Sequence, residues 1–156
     1  MGGGVDASFH AADVSLAWSR NVSWAGAMTS RTKIDAAGRL LRNPSTQGAE
    51  RATAIAIVED WRASHGYPLS KMRDLLAQTA TAVDPEAIYG ERLKRMDAIV
   101  QKLKRKPNLS LSKYQDIGGC RAIVGTVAQA ERLTAAFKDA AAETGHSFVQ
   151  ENPYIR

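Results

Sequence analysis

The residues best suited to chemistry are concentrated in one basic stretch between positions 92 and 121. It holds nine basic residues against two acidic ones, Asp97 and Asp116, which gives a formal charge of +7. The nine are Arg92, Lys94, Arg95, Lys102, Lys104, Arg105, Lys106, Lys113 and Arg121. The whole chain carries +5, so the remainder of the sequence is slightly acidic. Such a concentration of charge attracts phosphate, either of a nucleotide or of a nucleic acid.

The first part of this stretch follows a helical pattern. Asp84 suits an N-cap and Pro85 suits the first helical position, so we predict one continuous helix from Asp84 to Lys106. Its apolar stripe, which we expect to be buried against a sheet, consists of Tyr89, Leu93, Met96, Val100 and Leu103. The opposite face gathers Lys94, Arg95, Lys102 and Arg105 around the small Ala98, with Arg92 at its edge. A charged face is most often only solvated, but this one has no acidic residues at i+4 spacing to neutralise it.

A second candidate lies at residues 116–119, Asp-Ile-Gly-Gly, before the β-rich run 120–124. Alone, this motif is most often a turn whose glycines supply unusual backbone angles. It also suits a metal site, with the Asp116 carboxylate on Mg²⁺ at a strand edge and glycines that let phosphate approach the backbone. We therefore expect the Asp116 carboxylate on the same side as Lys94, Lys102 and Arg105, because the metal must bridge phosphates held by the basic residues.

Taken together, these motifs resemble the signature of RelA/SpoT-type alarmone synthetases. That family has an Arg-x-Lys helix, then Ser-Ile and a Lys/Arg pair, and then an Asp-Ile-x-Gly-x-Arg strand. The matching residues are Arg92-Leu93-Lys94-Arg95-Met96-Asp97-Ala98-Ile99, then Lys102-Leu103-Lys104-Arg105, then Asp116-Ile117-Gly118-Gly119-Cys120-Arg121-Ala122-Ile123-Val124. Upstream, residues 33–38 and 61–69 look like the longer helical lead-in of one branch, so the resemblance covers residues 29–156.

The resemblance implies a nucleotide site and a metal site. The family positions that bind the ATP donor are matched by Arg92, Lys94, Lys102 and Arg105. Asp116 matches the Mg²⁺ ligand, and Arg121 matches a nearby basic residue that favours phosphate. The implied reaction, which belongs to guanosine tetraphosphate metabolism and the stringent response, transfers the β,γ-pyrophosphate of ATP to a ribose 3′-hydroxyl, usually of GDP or GTP. Some small members are similar to toxins that modify the 3′ end of tRNA, and such a relative would have a paired antitoxin.

The sequence departs from the family pattern at three places. Ala98 stands where the family usually has Ser, and Pro153 stands where relatives often have an acidic residue. The chain ends at Arg156, before the family's Gly-Tyr-Arg segment and the later strand with the catalytic Glu. No residue is therefore assigned as general base. We expect an incomplete synthetase module that binds ATP weakly and transfers no pyrophosphate.

The elements around these motifs read as helices first and a β-α-β run afterwards. Helices are predicted from Thr29 to Asn43, over 48–64 and over 69–79; a strand follows at 120–124, then a helix at 128–144 capped by Gly145, and a strand at 147–149. The expected fold class is α+β, and the resemblance implies part of a nucleotidyltransferase-like mixed sheet. The predicted divisions are an N-terminal extension (1–28), a helical lead-in (29–83) and the first part of a synthetase domain (84–156).

Composition bears on where the protein is found, on the role of its cysteine and on the rival function. No apolar run approaches the roughly 20 residues that span a membrane, and the start lacks the features of a secretory signal, so we expect a cytoplasmic protein without membrane contact. The single cysteine, Cys120, excludes an internal disulfide and is interpreted, like Trp61 and His65, as structural. The rival function is a non-enzymatic nucleic-acid-binding module that uses the basic helix. Against it, aromatic residues are not interleaved with the basic ones as stacking platforms.

Overall fold

The chain has a mixed α+β fold. The computed structural model describes residues 10–12, 29–114 and 116–146. The α-helices of these residues are α1 (Arg31–Arg42), α2 (Gly48–Ala63), α3 (Gly66–Val83), α4 (Met96–Arg105) and α5 (Val127–Glu143). The strands are β1 (His10–Ala12), β2 (Ile88–Leu93) and β3 (Gly118–Val124), and a short 3-10 helix covers Leu111–Lys113. No described helix combines the length and apolar composition that a membrane crossing requires.

The described residues form two compact units that interleave along the chain. The helical unit contains residues 29–67, 93–114 and 116–118, and the sheet unit contains residues 10–12, 68–92 and 119–146. The units are discontinuous in sequence, so each draws residues from both of the predicted ranges 29–83 and 84–156.

The helical unit is built on α1, whose limits follow from local signals. Ser30 caps the helix by accepting a hydrogen bond from the Lys33 amide, and the Asn43 amide closes the other end on the carbonyl of Arg39. α1 packs against α2, α4 and the 3-10 helix. The core of this unit consists of Ile34, Ala37, Leu41, Ala54, Val58, Trp61, Ile99, Leu103, Leu111, Tyr114 and Ile117. The predictions of α1 and α2 and the buried position of Trp61 are confirmed.

The sheet unit contains three strands in the order β1-β3-β2, and β1 pairs antiparallel with β3, Ala11 opposite Ile123. Thr126 caps α5 through the Gln129 amide, and Gly145 follows the helix with a φ of 78°, which a residue with a side chain adopts rarely. β3 and α5 match the predicted elements, and Cys120 is buried as expected. α3 is longer than the predicted 69–79. The strand predicted at 147–149 lies outside the described residues.

The continuous helix predicted from Asp84 to Lys106 is wrong, because β2 and a two-residue connection precede α4. The Asp84 carboxylate accepts hydrogen bonds from the amides of Glu86 and Gly125, at 3.0 Å and 2.9 Å, so it closes a turn and ties that turn to the end of β3. Gly90 also lies inside the segment, and glycine in a helix interior costs about 1 kcal/mol relative to alanine. Pairing within the sheet therefore prevails over the local helix signals.

This correction divides the predicted basic face and apolar stripe among different elements. Arg92 lies in β2, whereas Lys102 and Arg105 lie in α4. Tyr89, the first member of the stripe, is exposed, and Leu103 is fully buried. Leu93, Met96 and Val100 are partly buried against the core of the helical unit.

Candidate functional site

Two lysines of the helical unit converge on one carboxylate oxygen. The Nζ atoms of Lys94 and Lys102 lie 2.8 Å and 3.3 Å from Oδ2 of Asp116. Lys94 lies in the connection between β2 and α4, Lys102 is in the last turn of α4, and Asp116 comes two residues before β3. The predicted position of the Asp116 carboxylate on the same side as Lys94 and Lys102 is confirmed, whereas its position relative to Arg105 stays a prediction. We call these three side chains the lysine–aspartate cluster.

Main-chain hydrogen bonds hold Lys94 on both sides. Its amide donates to the carbonyl of Ile117 at 2.7 Å, next to Asp116 in the chain. Its carbonyl accepts from Nε of Arg62, a residue of α2, at 2.6 Å. These bonds therefore hold the main chain of Lys94 in place, although Lys94 does not belong to a helix.

Helix α4 positions Lys102, and this helix is anchored at its C-terminal end. The Arg42 guanidinium donates to the carbonyls of Leu103, at 3.1 Å, of Leu109, at 2.6 Å, and of Pro107. The bond to Leu103 satisfies an acceptor that a helix end leaves without an intrahelical partner, and the other two bonds hold the segment that follows α4. Because Leu103 and Ile99 are also fully buried, the helix presents Lys102 from a fixed support.

Tyr114 provides a third contact in the cluster. The Nζ atom of Lys102 lies 4.0 Å from the centroid of the Tyr114 ring, a cation–π distance. The ring belongs to the core of the helical unit, and only 7% of the residue is exposed. Its hydroxyl has no hydrogen-bond partner among the described residues. Burial, with the negative charge of Asp116, raises the pKa of Tyr114 to about 12 against the opposing charge of Arg105, so the phenol stays protonated.

The electrostatics of the cluster favour an ionised Asp116. Partial burial acts to raise the pKa of the carboxyl, but the hydrogen bonds and charges of Lys94 and Lys102 outweigh it and lower the pKa below its ordinary value. The Asp116 side chain is 54% exposed, whereas the two lysine side chains are 21% and 23% exposed. The cluster is thus a net positive site with an accessible carboxylate.

The Asp116 carboxylate suits a metal ion that phosphate oxygens of a bound ligand coordinate as well. Among residues 29–114 and 116–146, no three His, Cys, Asp or Glu side chains are grouped as a metal site would require. Mg²⁺ does not need such a group, because it is commonly bound by one or two carboxylates together with phosphate oxygens and water. Both lysines contact Oδ2 of Asp116, which leaves Oδ1 as the oxygen that a cation can approach without displacing them.

The other three predicted nucleotide-binding residues are exposed arginines. Arg105 is exposed in the last turn of α4, and its charge acts on the pKa of Tyr114. Arg92 in β2 and Arg121 in β3 are exposed residues of the sheet unit. The roles of these three arginines in nucleotide binding stay predictions.

Sequence reasoning missed the residues that support the cluster. Tyr114 lies two positions before Asp116, and this short distance from a predicted site residue was the one local signal of its importance. Arg42 and Arg62 gave no local signal, because they reach carbonyls 61 and 32 residues away. Their roles depend on the packing of α1 and α2.

Comparison with known proteins found no family model and no curated protein that matches the chain.

Proposed function

We propose that the helical unit carries the ATP–Mg²⁺ site of a RelA/SpoT-type synthetase. In this proposal Lys94 and Lys102 bind phosphate oxygens of ATP, and Asp116 is the protein ligand of the metal. The observation that carries it is the convergence of both lysines on Asp116 Oδ2, at 2.8 Å and 3.3 Å. The resemblance in residues 92–105 and 116–124 supports the same assignment independently of this geometry.

A purely structural role explains the cluster poorly. Ion pairs with a solvent-exposed partner contribute about 0–1 kcal/mol, and Asp116 is more than half exposed. Holding two long lysine side chains in one place also costs conformational entropy. A binding role accounts for both features, because the exposed carboxylate keeps the ammonium groups in place until phosphate oxygens replace it as their partner.

The arrangement suits transfer of a phosphoryl-type group. Catalysis of such transfers consists mostly of positioning and charge neutralisation, for which lysines and a metal carboxylate are the expected parts. Mg²⁺ held by Asp116 would neutralise charge on the phosphates. In the reaction that the resemblance implies, the acceptor 3′-hydroxyl of GDP or GTP, or of the tRNA 3′ end for a toxin-type relative, loses its proton and bonds to the β-phosphorus of ATP, while the bond to the α-phosphate breaks and AMP leaves. Incubation with labelled ATP and each acceptor in turn tests the expectation that this chain transfers no pyrophosphate, because a labelled product would contradict it and would identify the acceptor.

Calorimetric titration of ATP with Mg²⁺ tests the binding site itself. Lys94→Met and Lys102→Met should each weaken binding by about 10- to 100-fold, since a hydrogen bond to a charged group contributes about 1.5–3 kcal/mol. Lys104→Met is the matched control, because Lys104 is an exposed lysine of α4 and its removal changes the net charge equally. An equal loss in all three variants would show general charge attraction and contradict a specific site.

The second candidate is nucleic-acid binding by the end of α4. Lys104, Arg105 and Lys106 are exposed there, which favours contact with a phosphate backbone. The salt dependence of binding distinguishes the two candidate functions. A surface that neutralises several phosphates loses affinity for duplex steeply as salt rises and does not need Mg²⁺, whereas the ATP site depends on Mg²⁺.

A further inference from the structure

The main chain of each lysine in the cluster is held in place, but it sets only the start of the side chain. Lys94 is bonded through its main chain to the Ile117 carbonyl and the Arg62 side chain, and Lys102 belongs to a regular turn of α4. Four rotatable bonds separate that point from the ammonium group. Contacts made by the ammonium itself must therefore determine where it lies.

Lys102 makes two such contacts. One is to Asp116 Oδ2 at 3.3 Å, and the other is to the Tyr114 ring at 4.0 Å from the centroid. In the proposed function phosphate oxygens replace the Asp116 carboxylate as the partner of the Lys102 ammonium when ATP binds, so Asp116 no longer holds that ammonium in place. The ring contact does not depend on Asp116 and remains.

We infer that Tyr114 is a positioning residue, which holds the Lys102 ammonium at the phosphate site through the face of its ring. This inference rests on the proposed ATP–Mg²⁺ site and adds to it a residue that does not itself touch the nucleotide. The ring suits the task because the core of the helical unit immobilises it, with 7% of the residue exposed. A rigid ring fixes the position of a flexible ammonium, whereas a mobile one would not.

The ring carries the role and the hydroxyl does not. The hydroxyl is buried without a hydrogen-bond partner among the described residues, so its removal breaks no contact seen there. Phenylalanine should therefore replace tyrosine in the interaction with Lys102, whereas leucine should not.

The test compares Tyr114→Phe and Tyr114→Leu in the full chain, with Val58→Ala as control. Val58 is a fully buried residue of the same core, on α2, so its truncation measures the effect of core loosening alone. The first readout is the affinity for ATP with Mg²⁺. We expect Tyr114→Leu to weaken it by roughly 3- to 30-fold, the range of a desolvated cation–π contact. Tyr114→Phe should retain the wild-type affinity to within about a few-fold.

The second readout needs no ATP and no variant of Tyr114. In the NMR spectrum of the wild type, the ε-methylene protons of Lys102, identified by their disappearance in Lys102→Arg, should lie upfield of those of other lysines because of the ring current of Tyr114. A Lys102 resonance at the ordinary lysine position overturns the inference. It is also overturned if wild type binds ATP and Tyr114→Leu binds no more weakly than Val58→Ala. A wild-type chain that binds no ATP with Mg²⁺ overturns the proposed function itself.

Discussion

Lys94 and Asp116 form an ion pair of 2.8 Å in which the lysine is clamped by main-chain hydrogen bonds on both sides. The Ile117 carbonyl, which accepts from the Lys94 amide, belongs to the residue after Asp116, so the backbone aligns the two partners before their side chains meet. The main chain therefore brings the two residues together, although the exposed carboxylate makes the ion pair itself a weak contribution to stability.

Gly38 on α1 allows the close approach of Leu111, three residues before Tyr114. A Cβ at Gly38 would lie 2.9 Å from Leu111 Cβ, closer than real Cβ atoms approach. We expect Gly38→Ala to lower the free energy of unfolding by about 1–3 kcal/mol through overpacking, although alanine is the better helix former. Urea unfolding measures the loss.

Gly66→Ala is the control for this prediction. Gly66 starts α3, its φ is not positive, and an added Cβ meets no atom within 4 Å. This variant should unfold at the wild-type urea concentration or a higher one. Equal behaviour of the two glycine variants would show that α1 does not pack on Leu111 as described.

The stability of the helical unit should fall at acid pH because of His65. Burial lowers the pKa of the imidazole from its ordinary value of 6.5, against the opposing hydrogen bonds of the Trp61 and Arg62 backbone. The unfolded chain then binds the proton more readily than the folded chain does. The contribution of neutral His65 to the free energy of unfolding is therefore fully present above pH 6.5 and is lost as the pH falls below it.

Urea unfolding at several pH values between 7.5 and 5 measures this effect in wild type and in His65→Gln, which has no titrating ring. Wild type should lose more stability over this range than the variant. Parallel profiles would mean that His65 is exposed to solvent and does not pack edge-on against Trp61, at 5.0 Å between ring centroids.

Cys120 in the sheet unit should be unreactive in the folded chain. Burial, with the negative charge of Glu91, raises the pKa of the thiol to about 12 against the opposing charge of Arg73. The thiolate is the reactive form, so labelling by an aromatic disulfide reagent at pH 8 should be slower than in denaturant by on the order of a thousandfold. The chain has one cysteine, so the absorbance change reports this residue alone. Rapid labelling without denaturant would contradict the buried position.

Local signals predicted α1 because the residues that determine it lie inside or beside it. Ser30 caps the helix, and Ile34, Ala37 and Leu41 form one buried face. The segment 84–95 was predicted wrongly because distant residues determine it. Asp84 is bound to the Gly125 amide, 41 positions away, and β2 lies beside β3 in the sheet. A capping signal and a spacing of four, three, four and three residues cannot reveal such partners.

The lysine–aspartate cluster was predicted correctly although the helix invoked for it was wrong. Lys94 reaches Asp116 because the main chain of Lys94 bonds to Ile117, not because Lys94 and Lys102 share a helix face. Tyr114 was missed because its burial depends on the joint packing of α1, α2 and α4, which composition and spacing do not encode.

In the proposed site Asp116 links Mg²⁺ to a triphosphate held by the two lysines. The Mg²⁺ dependence of ATP affinity in Asp116→Asn measures this link. The affinity is measured by calorimetry with and without Mg²⁺ in wild type, in Asp116→Asn and in Asp97→Asn. Asp97 is the matched control, an exposed acid in the first turn of α4 whose contact is with Arg95 and not with the cluster.

Wild type and Asp97→Asn should bind ATP more tightly with Mg²⁺ than without it. Asp116→Asn should lose this gain. Without Mg²⁺ it should bind ATP at least as tightly as wild type does, because Lys94 and Lys102 are freed from a competing carboxylate. An Asp116→Asn variant that keeps the full gain from Mg²⁺ would contradict the account.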